Sequence, residues 1–213
     1  MNLVIWGSGG HGKVVIDCAR AMGVFDRIAV VDDSTAEGGN FCGYPVLGDR
    51  SKLSAALEAG YTHVVVAIGD NAVRCRCYEF AVAGGLEPVC VIHPSAVVSP
   101  SAVVGRGTVV MPGAVINACA RIGCNCVINT GAVVEHDCRI GDHVFISPRA
   151  ALGGAVTIGD YAHIGLGAAV LPLAGVAEQA IVGAGAVVLD TVGPYTTVVG
   201  VPARALARSR RQR

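Results

Sequence analysis

Aromatic side chains are scarce in this 213-residue chain, at 5% of residues with a single tryptophan. Charge is scarce too: Asp, Glu, Lys and Arg make up 15%, against roughly 25% in ordinary soluble domains. Sixteen basic residues balance sixteen acidic ones, and this neutrality argues against nucleic acid or an anionic membrane as the main partner. Long apolar runs are missing although 53% of residues are hydrophobic. Glycine interrupts every stretch before the ~20 residues a spanning helix needs, so no membrane insertion is expected. The N-terminal Met1-Asn2-Leu3-Val4 lacks the basic flank and apolar region of a secretory signal, and nine cysteines, an odd number, form no secreted disulfide framework. These absences predict a cytoplasmic protein with reduced thiols.

What is present changes character near residue 90. Before it, apolar runs alternate with amphipathic stretches: strands are expected at Asn2–Trp6, Arg27–Val31 and Thr62–Ile68, helices at Lys13–Met22, Lys52–Ala59 and Asn71–Ala83, and an extended segment at Glu87–Ile92. This alternation predicts a small parallel α/β sheet with its ligand beyond the carboxyl ends of the strands. Between the first strand and first helix stands Gly7-Ser8-Gly9-Gly10-His11-Gly12-Lys13. It satisfies the dinucleotide pattern G-x-G-x-x-G, with Asp32-Asp33 at the distance of a ribose-binding acid. It also reads G-x-x-x-x-G-K, but Val14 replaces the Ser or Thr that a P-loop needs for magnesium. Only one mononucleotide half fits before the change of character. Glycines there let backbone N–H groups approach a phosphate at a helix N-terminus; the alternative is a tight turn that binds nothing.

After residue 90 a repeat governs. Every sixth residue from Ile92 to Val188 is aliphatic, and two residues before most of these stands a small one, as at Ala114, Ala120, Cys126, Ala132 and Cys138. Neither a helical nor an alternating period produces that spacing. One bulky and one small inward position per hexad describe a parallel β-helix with a thin core. The pattern resembles the hexapeptide-repeat acyltransferases, which implies a left-handed β-helix with three hexads per triangular coil. The glycines, several of which follow the aliphatic residue, are expected to turn its corners. The fold class expected is therefore an α/β Rossmann-like nucleotide-binding domain (1–90), a left-handed parallel β-helix (91–190) and a C-terminal segment with a basic tail (191–213).

In hexad phase Val134 and Cys138 point inward, leaving Glu135-His136-Asp137 at an outward corner. A histidine there is available as a neutral base near pH 7, and an adjacent carboxylate can hold its tautomer. Together with the glycine motif, Val65-Val66-Ala67-Ile68-Gly69-Asp70-Asn71, His93-Pro94-Ser95-Ala96 and Val199-Gly200-Val201-Pro202-Ala203, this corner resembles the bacterial sialic-acid O-acetyltransferase-like family. Its best-understood members acetylate nucleotide-linked amino sugars. The resemblance implies a homotrimer with active sites between subunits, acetyl-CoA as co-substrate, a nucleotide amino sugar as acceptor and no required metal. It assigns His136 as general base and Asp137 as the acid that increases its basicity. It places Gly9, Gly10 and His11 at the sugar-nucleotide phosphates and sugar, Asp32 and Asp33 at the nucleoside, Gly69 in the same pocket, and Leu166 and Ala184 at acetyl-CoA. Members often carry a second histidine nine residues after the base, touching the cofactor. Here Phe145 occupies that position; His163, one coil above it, or a backbone group is expected to take over the contact, the alternative being that His163 is a solvated corner histidine.

The resemblance leaves other functions open. Sialic acid or a related sugar could be acetylated on a hydroxyl with the same base, and a β-helix could bind sugar nucleotides without turnover. A zinc site like that of carbonic-anhydrase-type β-helices is disfavoured, because His136, His143 and His163 lack the two-coil spacing and neither Cys75-x-Cys77 nor Cys124-x-Cys126 forms a zinc pair. The arginine-rich tail from Arg204 to Arg213 either reaches the CoA phosphate or is a solvated terminus.

Overall fold

The computed structural model describes residues 1–35 and 37–206; residues 207–213, with most of the basic tail, lie outside the described residues. The chain begins with β1 (Asn2–Trp6), α1 (Gly10–Met22), β2 (Arg27–Val31), β3 (Asn40–Phe41), β4 (Tyr44–Gly48), α2 (Leu53–Glu58), β5 (His63–Val66), α3 (Asn71–Ala83) and β6 (Glu87–Pro88). The strands form one sheet in the order β3-β4-β2-β1-β5-β6, parallel except for the β3–β4 hairpin. Alternation along β1 divides its side chains between two layers. Leu3 and Ile5 pack with Val15, Ile16 and Ala19 of α1, while Val4 and Trp6 pack with Leu53 and Ala56 of α2 and Cys77 and Ala81 of α3.

Two details differ from the sequence expectation. Helix α1 starts at Gly10 rather than Lys13, with Gly9 as its N-cap, so the glycine motif forms the first helical turn. Gly12 is required because a Cβ there would strike the Gly7 carbonyl. The β3–β4 hairpin was not foreseen. Cys42 and Gly43, at φ 53° and 89°, supply the two left-handed residues of a tight hairpin turn, and Pro45 masks the strand that follows.

From Val91–Ile92 onward the chain winds as the left-handed parallel β-helix expected from the hexads. Two-residue strands recur every six residues, and each pairs with the strand eighteen residues further on, as Val109 does with Val127 and Phe145 with His163. Three sheets result. The first face carries Val91–Ile92 and its successors, the second Val97–Val98, the third Val103–Val104. Both inward series are buried in one continuous cluster that contains no aromatic ring. The first face continues to Thr197–Val199, where Ile181 pairs with Thr197; this last coil is two residues short, so the hexad phase does not reveal it.

The glycine expectation needs correction. Gly105, Gly123, Gly141, Gly159, Gly165 and Gly183, which follow the aliphatic residue, do not have positive φ. They are there because the coils approach closely: a Cβ on Gly105 would lie 2.5 Å from the Gly123 carbonyl carbon, and one on Gly165 2.5 Å from the Val182 oxygen. Corners are turned two residues later, by left-handed residues such as Gly107, Gly131 and Gly167 but also Asn125, Asp137, His143 and Tyr161.

The α/β layer and the prism share a core. Val91, Val109 and Met111 of the first face and the turn after it belong to the same cluster as Val15, Cys18 and Ala19 of α1. Cys18 Sγ lies 3.4 Å from Met111 Sδ. Among the described residues no helix is long and apolar enough to cross a membrane.

Candidate active site

Between the start of α3, with the loop before it, and the first face of the prism lies a cavity of about 530 Å³ lined by Gly69, Asp70, Asn71, Ala72, Tyr161, His163, Gln179 and Ile181. Two expected site residues, Gly69 and His163, meet here. Phe145 lies one coil below His163 with the rings stacked at 5.0 Å and 10°. His163 Nε2 is 3.1 Å from Ser147 Oγ, and burial followed by the Arg74 charge lowers its pKa. It is therefore a neutral, partly enclosed imidazole, not a solvated corner.

His11 opens from the first turn of α1 toward the same wall, with its ring 5.9 Å from that of Phe145. Burial, and secondarily the Arg74 charge, bring its pKa down to about 4, so the ring is neutral at pH 7. Its Nε2 is buried without a hydrogen-bond partner, an expensive arrangement unless something else meets that nitrogen. Gly9 and Gly10 face open space beside the free N–H groups of the helix terminus, a ready anion site.

Asp32 and Asp33 follow β2 but do different work. Asp32 accepts hydrogen bonds from the backbone N–H of Ser8 at 2.6 Å and of Ser34 at 2.8 Å and from the Ser34 hydroxyl. It thereby ties the glycine loop to the end of β2. Its burial opposes ionisation, yet these hydrogen bonds together hold its pKa below the usual carboxylate value. Asp33 forms a forked ion pair with Arg50, whose guanidinium lies 5.7 Å from the Trp6 ring centroid. Arg50, Asn71 and Arg74 escaped the sequence reading. Arg50 follows the overlooked β4, and the roles of Asn71 and Arg74 depend on a domain contact that has no local signature.

The remaining expected residues stand elsewhere on the prism. Leu166 and Ala184 lie one above the other at the corner between the first and second faces, both exposed, with Gly185 N donating to Leu166 O at 2.8 Å. His136 and Asp137 stand at the corner between the second and third faces. Their side chains are exposed, and His136 Nδ1 lies 2.9 Å from Asp137 Oδ2. Asp137 reaches back because its backbone is left-handed, at φ 61°. The cavity borders the first face and its corner with the third, so the base candidate occupies the edge that this chain's own α/β layer does not reach.

Comparison with known proteins accounts for both halves. Residues 2–80 match the PglD N-terminal domain, and residues 119–154 match the bacterial transferase hexapeptide (six repeats). A perosamine N-acetyltransferase variant from Caulobacter crescentus, solved in complex with CoA and GDP-perosamine, is 43% identical over 97% of both chains, with a TM-score of 0.93. The chain belongs to this sugar N-acetyltransferase family. The acetyltransferase domain of PglB from Neisseria gonorrhoeae FA1090 is 40% identical, covering 96% of this chain and 99% of its own, with a TM-score of 0.92. UDP-N-acetylbacillosamine N-acetyltransferase of Bacillus subtilis (strain 168) is 43% identical over 116 residues, a match spanning 52% of this chain and about half, 51%, of that relative. Family membership brings the glycine-loop domain and the prism into one enzyme architecture. Among the described residues no three His, Cys, Asp or Glu side chains converge as metal ligands.

Proposed function

We propose that this protein transfers the acetyl group of acetyl-CoA to the primary amine of a nucleotide-linked amino-dideoxysugar, in a cytoplasmic homotrimer whose active sites lie between subunits. The observation that carries the reading is the bare second face. Its outward side chains are Val97, Val115, Val133, Ala151, Ala169 and Val187, whereas the third face presents Arg121, Arg139 and Thr157 between Val103 and Gly175. Three copies packed on this aliphatic face about a three-fold axis alternate its two edges around the ring. The His136–Asp137 edge of one copy then adjoins the Leu166–Ala184 edge of the next, beside that copy's cavity.

Residues 1–90 hold the acceptor in this reading and residues 91–190 carry the transfer. The helix terminus at Gly9 and Gly10 receives the diphosphate, the free Nε2 of His11 meets the sugar, Gly69 lines its pocket, and the Asp32–Asp33 end of β2 faces the nucleoside. Acetyl-CoA lies along the edge of Leu166 and Ala184, near the Phe145–His163 stack. As the amine attacks the thioester carbonyl, His136 takes its proton; Asp137 holds the imidazole tautomer and stabilises the cation. The C–S bond then breaks and CoA leaves with the proton as a thiol. A neutral amine is a strong enough nucleophile for one positioned base to suffice, and such a base contributes on the order of 10² to 10⁴ in rate.

The test is thiol release from acetyl-CoA across a panel of 3-amino and 4-amino nucleotide sugars and their hydroxyl counterparts. Release with an amino sugar, absent with the hydroxyl counterpart, is expected. Release only with hydroxyl acceptors, sialic acid included, would make the protein an O-acetyltransferase, and binding without release would make it a sugar-nucleotide-binding protein.

A further inference from the structure

Among the described residues Arg74 is the only ionised side chain with no solvent exposure. Burying a guanidinium is costly unless it is fully hydrogen-bonded, and none of the ion pairs among the described residues includes Arg74. Carbonyl oxygens satisfy it instead. Nε donates to Asn125 O at 2.9 Å, Nη1 to Ile68 O and Gly69 O at 3.1 and 3.3 Å, and Nη2 to Asn71 Oδ1 and His143 O at 2.8 and 2.7 Å. All five N–H groups are used.

These acceptors belong to two bodies. Ile68, Gly69 and Asn71 belong to the α/β side, and Gly69 and Asn71 line the cavity. Asn125 and His143 are successive corners of the prism, one coil apart. Asn71 extends the joint, because its Nδ2 donates to Tyr161 O at 2.8 Å and Ala162 O at 3.2 Å, one coil beyond His143. The guanidinium carbon also lies 5.8 Å from the Phe145 ring centroid. Apolar packing under α1 already holds the two bodies together, but it tolerates small sliding. A planar fork that directs two bonds to the prism and three to the loop and helix start beside the cavity ties the two bodies together and fixes their register.

We propose that Arg74 is a positioning residue for acetyl transfer: through Gly69 and Asn71 it holds the acceptor cavity in register with the coils that carry Phe145 and His163. The proposal rests on the transferase reading above. It matters because an acceptor displaced by about 1 Å from attack geometry can lose on the order of 100-fold in rate.

The experiment compares wild type with Arg74→Lys, which keeps the charge but replaces the planar fork by a single ammonium. For the folded variant we expect kcat/KM for the amino-sugar nucleotide to fall roughly 10- to 100-fold while KM for acetyl-CoA stays within about twofold. Amide exchange across residues 69–72 should accelerate. Unchanged acceptor kinetics with unchanged exchange would overturn the proposal, and so would equal losses for both substrates, which indicate general loosening. Should Arg74→Lys not fold, Asn71→Ala removes one acceptor from the same fork, and an unaltered acceptor KM and unaltered exchange would then overturn it. Wild type inactive with every acceptor would defeat the transferase reading, and the exchange measurement would still decide the role of Arg74.

Discussion

The imidazole of His136 lies over Gly154 of the next coil, where a Cβ would come within 2.7 Å of both Cε1 and Nε2. The position of the proposed base therefore depends on a side chain that is missing. Gly154→Ala should push the ring off its hydrogen bond to Asp137, lowering kcat at least tenfold and altering its pH profile while the affinity for nucleotide sugar is kept. Steady-state kinetics with parallel binding measurements check this, and wild-type kcat in the alanine variant would contradict it. At this scale the sequence was informative wherever chemistry is written in neighbours: His136 beside Asp137, or the glycines before α1. It was silent on Arg74, because a charged residue on an exposed-looking helix turns inward only when a second body completes its set of acceptors, here with the carbonyls of Asn125 and His143. It also left open that Asp33 is paired, since its partner Arg50 follows a strand that Pro45 conceals.

Each coil is a thin layer in which every side contributes one branched side chain and one small one, and these meet their counterparts above and below. Ile146, between Ile128 and Ile164, is fully buried. Truncation leaves a hole that the neighbouring layers cannot close, because each is held by its own strand pairings. Ile146→Ala should cost about 2–5 kcal/mol in urea unfolding at fixed protein concentration; a loss well under 1 kcal/mol would contradict dense stacking of the coils. The inward series was legible because its six-residue period is unbroken from Ile92 to Val188. The reason for the glycines was not. Close approach between coils and left-handed corners both favour glycine, and only coordinates separate Gly105, set against its neighbour's backbone, from Gly107, which turns the chain. The closing coil was hidden for a related reason, since dropping two residues shifts the phase while keeping the first face paired.

For the whole molecule, low charge and scarce aromatics have one explanation: a prism too narrow for rings, with one outer face left aliphatic, the face on which we propose that copies pack. Ala151 sits near the middle of that face and is exposed in the single chain. Ala151→Asp should leave the fold intact, convert trimer to monomer in sedimentation velocity, and abolish transfer while nucleotide still raises Tm. A fully active trimer would refute the packing. The account's central claim is that His136 of one copy serves the acceptor held by another. Its most direct test is co-expression of two defective variants, His136→Ala and Gly10→Asp; the latter sets a carboxylate in open space at the helix terminus, where the diphosphate is expected. Each alone should be inactive, and their mixed trimers should recover about a quarter of wild-type thiol release, the fraction of interfaces that pair two intact halves in random three-fold assembly. Mixed trimers that bind both substrates yet release no CoA would contradict the account.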